Sequence, residues 1–77
     1  MTEKLKVYSK EDCMQCNFTK KWLNEHGIEY EEFNVEEDEE ALNYIKYDLG
    51  YQAVPVVVSP TEYWYGFRPD KLAKLVG

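Results

Sequence analysis

The stretch KLKVYSKEDCMQCNFTKKWLNEHG, residues 4–27, decides the fold. Its first six residues alternate polar and apolar side chains, with leucine and valine on one face, which predicts a strand over residues 4–9. The sequence C-M-Q-C follows almost at once and contains both cysteines of the chain, Cys13 and Cys16. A C-x-x-C pair between a strand and a helix indicates a redox dithiol.

The second half of this stretch predicts a helix over residues 14–26. Apolar side chains recur every three or four positions, which is the spacing of one helix face. Gly27 is predicted to end the helix, because glycine readily adopts the left-handed conformation found after a helix C-terminus. The residues predicted to form the apolar face are Met14, Phe18, Trp22 and Leu23.

The middle of the chain predicts a second strand and a second helix. Residues 29–35 form the strand, although their apolar residues break the alternation once. Residues 37–49 form the helix, whose acidic first turn suits the positive end of the helix dipole and which ends at Gly50. The apolar positions are Tyr30, Phe33 and Val35 in the strand, and Leu42, Ile45 and Leu49 in the helix.

The last third predicts two strands, over residues 56–59 and 63–65, joined by a turn at 60–62. Pro69 suits the first position of a final helix. That helix would bury Leu72, Leu75 and Val76. The order β-α-β-α-β-β-α therefore predicts an α/β fold with a mixed four-stranded sheet and helices on both faces.

Length, charge and composition limit the possible functions. The 77 residues suffice for a single domain, residues 1–77, and 44% apolar with 31% charged residues suits a soluble globule. A net charge of −6 argues against nucleic acid and anionic membranes as partners. The longest apolar run, residues 53–58, is too short to span a bilayer, and the charged N-terminus does not resemble a signal peptide. We expect a cytoplasmic monomer.

The cysteine spacing favours chemistry over stabilisation, because so small a loop constrains little of the unfolded chain. At a helix N-terminus Cys13 would have a lowered pKa, and Cys16, one turn later, could attack a sulfur bound to Cys13. Lys10 could stabilise the Cys13 thiolate, whereas the negative charges of Glu11 and Asp12 would raise the pKa of the thiol.

Other readings of the cysteines remain open at this stage. They could be inert buried thiols, or they could hold zinc or an iron–sulfur cluster between two chains, because only His26 could join them within one chain. His26 more simply suits the C-terminal end of the first helix, and the acidic run at 36–40 suits a solvated helix start. The position of Pro55 suggests an ordinary proline at the beginning of a strand.

The sequence resembles the NrdH-redoxins over essentially its whole length. Three motifs match in order: KEDCMQCNFTK at residues 10–20, AVPV at 53–56 and WYGFRPD at 64–70. The resemblance implies a glutaredoxin-like thioredoxin fold and a dithiol electron carrier without a bound cofactor. It also implies two partners, a thioredoxin reductase and a class Ib ribonucleotide reductase.

The same resemblance implies roles for individual residues. Cys13 matches the nucleophilic cysteine and Cys16 the resolving one. Pro55 matches a cis-proline, and its neighbour Val54 would pair with an extended substrate segment. The residues expected to contact substrates or partners are Lys10, Met14, Gln15, Val54, Pro55, Trp64, Gly66, Phe67 and Arg68; for Trp64, a place in the core is the alternative.

A glutathione-dependent glutaredoxin is the nearest alternative. Glutaredoxins carry a threonine where this chain has Ala53, and a second glycine where it has Phe67. A bulky ring at that position would block the approach of a ligand to the backbone. Asp70 is retained from the glutaredoxin pattern. Glu11 and Tyr65 depart from the common NrdH-redoxin pattern, which has proline and serine there.

Overall fold

The computed structural model describes residues 5–76. Its strands are β1 (Leu5–Ser9), β2 (Tyr30–Asn34), β3 (Val56–Val58) and β4 (Tyr63–Tyr65). Its helices are α1 (Met14–Glu25), α2 (Glu39–Asn43) and α3 (Pro69–Leu72), with a π-helical turn Tyr44–Asp48 after α2 and a 3-10 turn Ala73–Leu75 after α3.

The four strands form one mixed sheet in the order β2-β1-β3-β4. Strand β1 is parallel to β2 and antiparallel to β3, and β3 is antiparallel to β4. The predicted element order and the mixed sheet are thus confirmed. Strand β3 ends one residue before the predicted boundary, and Lys4, predicted to begin β1, lies outside the described residues.

Each face of the sheet packs against helices, which gives two core layers. On one face, Val7 and Val57 of the sheet meet Leu23 of α1 and Leu72 of α3. On the other face, the layer contains Tyr8, Val35, Ala41, Ile45 and Val56, contributed by the sheet and the α2 region.

These two layers explain the broken alternation of β2. Tyr30 packs against the layer of α1 and α3, whereas Phe33 packs against the layer of α2. Residues three apart on a strand point to opposite faces, and here both faces are covered. An alternation of apolar and polar residues is therefore not required along this strand.

The predicted apolar face of α1 is confirmed for Leu23, which is buried, and for Trp22, which packs against the core, and it is wrong for Met14 and Phe18. The buried residues of α1 are Cys16, Thr19 and Leu23, whereas Met14 is 71% and Phe18 49% exposed. The Thr19 hydroxyl donates a hydrogen bond to the Gln15 carbonyl oxygen at 2.9 Å, so this polar side chain is satisfied inside the core. The side chains of Cys16 and Thr19, which the apolar periodicity did not include, thus share the buried face of α1 with Leu23.

The second helix also differs from its prediction. It begins at Glu39 rather than 37, where the Asp38 side chain accepts a hydrogen bond from the Ala41 amide at 3.1 Å. It then widens into the π-helical turn, marked by the bond from the Leu49 amide to the Tyr44 carbonyl at 3.2 Å.

Some predicted core residues of the later helices are not buried. Leu42 is 39% exposed, because Ala41 and Ile45 face the sheet instead. Val76 is 52% exposed and follows the 3-10 turn after α3. Gly27 and Gly50 have the positive φ values, +67° and +78°, predicted for residues that end helices. Within residues 5–76, no helix has the length and apolar character needed to cross a membrane.

The corrected face of α1 can be tested by stability measurements. Leu23→Ala should lower the free energy of unfolding by about 2–5 kcal/mol, because it leaves a cavity in the core. Met14→Ala, on the exposed stripe, should change it by no more than about 0.5 kcal/mol. Urea unfolding followed by circular dichroism gives both values, and equal losses would contradict the assignment.

Candidate redox site

Cys13 is the N-cap residue of α1, with extended backbone angles (φ −108°, ψ 107°). Its sulfur accepts a hydrogen bond from the Cys16 amide at 3.2 Å. The two cysteines form a disulfide, with their Cα atoms 5.2 Å apart. Cys13 is half-buried, whereas Cys16 is completely buried, so an attacking thiolate can reach the sulfur of Cys13 and not that of Cys16.

The helix N-terminus supplies the electrostatic part of the site. Unpaired amides and the helix dipole favour negative charge there, and the Cys16 amide already points at the Cys13 sulfur. Both effects stabilise a thiolate at Cys13 over the neutral thiol once the disulfide is reduced.

The loop before Cys13 is fixed by a residue that sequence reasoning missed. The Glu11 amide donates a hydrogen bond to the Glu36 carboxylate at 3.0 Å. Asp12 has a left-handed backbone (φ +55°), which aspartate tolerates better than most residues. Glu36 lies 25 positions after Glu11 in the sequence. It belongs to an acidic run, which by sequence alone indicates a solvated start of a helix.

The loop before β3 lies against the cysteines. The Val54 carbonyl oxygen is 3.9 Å from the Cys13 sulfur, and the Val54–Pro55 peptide bond is cis, as the family resemblance implied and position alone did not. The Pro55 carbonyl accepts a hydrogen bond from the Gly66 amide at 2.7 Å. The backbone of Val54 is therefore held beside the reactive sulfur.

The loop after β4 is held against the first turn of α1. The Gln15 side-chain oxygen accepts a hydrogen bond from the Phe67 amide at 3.3 Å. The rings of Phe67 and Phe18 are tilted against each other, with centroids 5.9 Å apart. Three of the residues predicted to contact partners, Gln15, Gly66 and Phe67, thus lie next to one another, and the exposed ring of Phe18 lies beside them.

The other predicted contact residues lie in different environments. Trp64 is only 4% exposed and packs in the layer of α1 and α3, which matches its core alternative. Arg68 makes a two-point ion pair with Asp70, at 3.0 and 3.2 Å, which lowers the pKa of that carboxyl. Lys10 is exposed and lines a cavity together with Val54.

The metal reading depends on ligands near the cysteines. In the part of the chain that the structure describes, no three histidine, cysteine or acidic side chains come together in a metal-binding group. His26 stacks on Trp22, with centroids 3.7 Å apart, and its Nδ1 is 2.8 Å from the Trp22 carbonyl oxygen at the end of α1.

Comparison with known proteins identifies the family. The glutaredoxin family model matches residues 5–64. The glutaredoxin-like protein NrdH of Lactococcus lactis subsp. lactis (strain IL1403) is 45% identical over 69 residues, which cover 90% of this chain and 94% of the relative. The chain belongs to the glutaredoxin-like NrdH proteins.

Two further comparisons agree with this membership. The NrdH protein of Escherichia coli (strain K12) is 33% identical over 72 residues, covering 94% of this chain and 88% of the relative. The solved structure of NrdH-redoxin from Escherichia coli superposes with a TM-score of 0.89 at 33% identity and covers 95% of each chain. As an NrdH protein, the chain is a thiol–disulfide oxidoreductase whose Cys13 and Cys16 lie at disulfide distance.

The different exposure of the two cysteines of this NrdH protein predicts different behaviour of their serine variants. Cys16→Ser should accumulate a mixed disulfide between Cys13 and a substrate, because nothing within the chain releases it. Cys13→Ser should form at least about tenfold less adduct, because its remaining thiol is buried. Non-reducing gels and intact mass spectrometry measure the adduct, and equal trapping by both variants would contradict the assignment.

Proposed function

We propose that this protein is a dithiol electron carrier between two enzymes. It receives two electrons, originally from NADPH, from a flavoprotein thioredoxin reductase, and it passes them to a disulfide of a class Ib ribonucleotide reductase. The proposal includes a cytoplasmic, single-domain monomer that needs no bound cofactor. Its support is the NrdH membership together with the geometry around Phe67.

The chemical steps conserve two electrons. A thiolate of the reductase attacks the Cys13 sulfur and breaks the Cys13–Cys16 bond, and a second reductase thiol then releases the reduced protein. The Cys13 thiolate next attacks a substrate disulfide, and one substrate sulfur leaves as a thiolate. Cys16 attacks the mixed disulfide, which restores the Cys13–Cys16 bond and releases the second substrate thiol.

The observation that carries the choice of reductant is the position of Phe67. Its amide is occupied by Gln15 and its ring packs on Phe18, so the backbone after Gly66 is covered by a side chain. Glutaredoxins have a glycine at the position of Phe67, so no side chain covers the backbone there. Asp70, retained from that pattern, is paired with Arg68. These contacts disfavour glutathione and favour direct reduction by a protein.

The test of this proposal compares two reductants. Oxidised protein is mixed with NADPH and thioredoxin reductase, or with glutathione, glutathione reductase and NADPH, and a small disulfide serves as acceptor. NADPH consumption should depend on the protein only with thioredoxin reductase. Turnover in the glutathione assay without turnover in the thioredoxin reductase assay would overturn the proposal. The Cys13→Ser variant gives the background rate in both assays.

The partner at the other end needs its own measurement. Reduced protein should restore deoxyribonucleotide formation by a class Ib ribonucleotide reductase that has been freed of other reductants. Cys13→Ser should restore none, because it lacks the attacking thiolate. A ribonucleotide reductase that gains no activity from the reduced wild-type protein would contradict this part of the proposal.

The proposed exclusion of glutathione predicts a gain of activity. Phe67→Gly uncovers the backbone next to Gly66 and should bring glutathione-linked turnover to roughly five times the background rate seen with the wild type, which corresponds to about 1 kcal/mol. Phe18→Ala removes the packed ring partner while leaving Phe67 in place and should give a smaller gain. An unchanged glutathione-linked rate in Phe67→Gly would show that Phe67 does not exclude glutathione.

A further inference from the structure

The short loop between β1 and α1 controls where the reactive sulfur lies. It consists of residues 10–12, between Ser9, the last residue of β1, and Cys13, the N-cap of α1. All three loop residues are exposed, and none of them belongs to either core layer. Packing therefore does little to fix this loop, and any displacement of it moves the Cys13 sulfur relative to the helix N-terminus.

The sheet brings a second turn next to this loop. Strands β1 and β2 are parallel, with Ser9 in register with Asn34, so both strands end at the same end of the sheet. The Val35 amide donates a hydrogen bond to the Ser9 carbonyl oxygen at 2.9 Å. Glu11 and Glu36, which follow the two strands, are therefore neighbours although they are 25 positions apart in the sequence.

Glu36 is itself held in place by this second turn. Its amide donates a hydrogen bond to the Asn34 side-chain oxygen at 2.8 Å. The Glu37 and Asp38 amides donate hydrogen bonds to the Asn34 carbonyl oxygen at 3.1 and 2.8 Å. The Glu36 carboxylate accepts the hydrogen bond from the Glu11 amide at 3.0 Å. Because the backbone of the turn is already fixed, this last bond has to order only the Glu36 side chain, which lowers its entropic cost.

The bond to Glu36 restrains a loop whose backbone is strained. Asp12 has a φ of +55°, in the left-handed region that is unfavourable for residues with a side chain. In the described part of the chain, the bond from the Glu11 amide is the one hydrogen bond that joins residues 10–12 to another element. Without it, we expect the loop to relax and Cys13 to move with it.

We propose that Glu36 is a positioning residue of the redox site. Its carboxylate holds the loop before Cys13, and the loop keeps the Cys13 sulfur at the N-terminus of α1, where the Cys16 amide donates to it at 3.2 Å. The inference concerns the reactivity of Cys13 itself. It therefore applies to thiol–disulfide exchange with any partner and does not depend on which enzyme reduces the protein.

The charge of Glu36 acts against this positioning role. A carboxylate near Cys13 opposes formation of the thiolate, as do the carboxylates of Glu11 and Asp12, whereas the ammonium group of Lys10 favours it. The hydrogen bond and the charge can be separated by substitution. Glutamine keeps a side-chain oxygen that accepts the hydrogen bond and removes the charge, whereas alanine removes both.

The experiment measures the alkylation of Cys13 by iodoacetamide in the reduced protein. The thiolate attacks the carbon that carries the iodine, a sulfur–carbon bond forms and iodide leaves, so the rate follows the thiolate fraction. Cys16 is buried and should remain unlabelled, which intact mass spectrometry verifies. The rate is recorded between about pH 5 and 9, a range that includes the pKa values of many redox cysteines and of free cysteine.

Four variants are compared with the wild type, namely Glu36→Gln, Glu36→Ala, Glu37→Gln and Glu37→Ala. Glu37 is the matched control, because it is exposed, carries the same charge in the same turn and, within residues 5–76, makes no side-chain hydrogen bond. At about pH 6, Glu36→Gln should react at least as fast as the wild type, because the bond remains and a negative charge is lost. Glu36→Ala should react at least about threefold more slowly than Glu36→Gln, whereas the two Glu37 variants should react alike.

Three results would overturn the inference. Equal rates for Glu36→Gln and Glu36→Ala over the whole pH range would show that the acceptor oxygen is not needed. An equal difference between the two Glu37 variants would show that the effect comes from the turn in general. Lower stability of Glu36→Ala in urea, with an alkylation profile like that of Glu36→Gln, would show a role in folding alone. The proposed function is tested separately, because its reductant assay uses only the wild type and Cys13→Ser.

Discussion

The hydrogen bond from the Cys16 amide to the Cys13 sulfur connects the fold with the chemistry. A helix must satisfy its first amides, and here a sulfur takes the place that serine or aspartate usually fills. For this to happen, α1 has to begin at Met14, directly after the loop from β1. The buried thiol of Cys16 then lies under the first turn, and only Cys13 faces the surroundings.

The rest of the site is assembled from loops that are distant in sequence and are tied to each other through backbone groups. The Gly66 amide bonds to Pro55, and the Phe67 amide bonds to Gln15 in the first turn of α1. The loop before Cys13 is tied in turn to Glu36. These bonds place the Val54 carbonyl beside the reactive sulfur.

The topology and the cysteine chemistry could be predicted from sequence because both depend on local signals. Alternation, glycine at helix ends and the C-x-x-C spacing each act within a few residues. The ties between loops could not be predicted, because Gln15 and Glu36 act through contacts 52 and 25 positions away. The buried face of α1 was predicted only in part, for a related reason. Periodicity counts apolar residues, but Thr19 can be buried once its hydroxyl bonds to Gln15, and Cys16 behaves as a small apolar residue.

The burial of Cys16 and Thr19 also determines which surface surrounds the site. Cys16 and Thr19 lie on the inner face of α1 together with Leu23, and the large apolar residues Met14 and Phe18 lie outside it. Phe18 packs against Phe67. Phe67 stands where glutaredoxins have a second glycine. Its ring packs against Phe18, which the helix periodicity predicts to be in the core. The contact that is proposed to exclude glutathione thus depends on an exposed apolar residue of α1, while the Cys16 sulfur fills the inner side of the first helical turn.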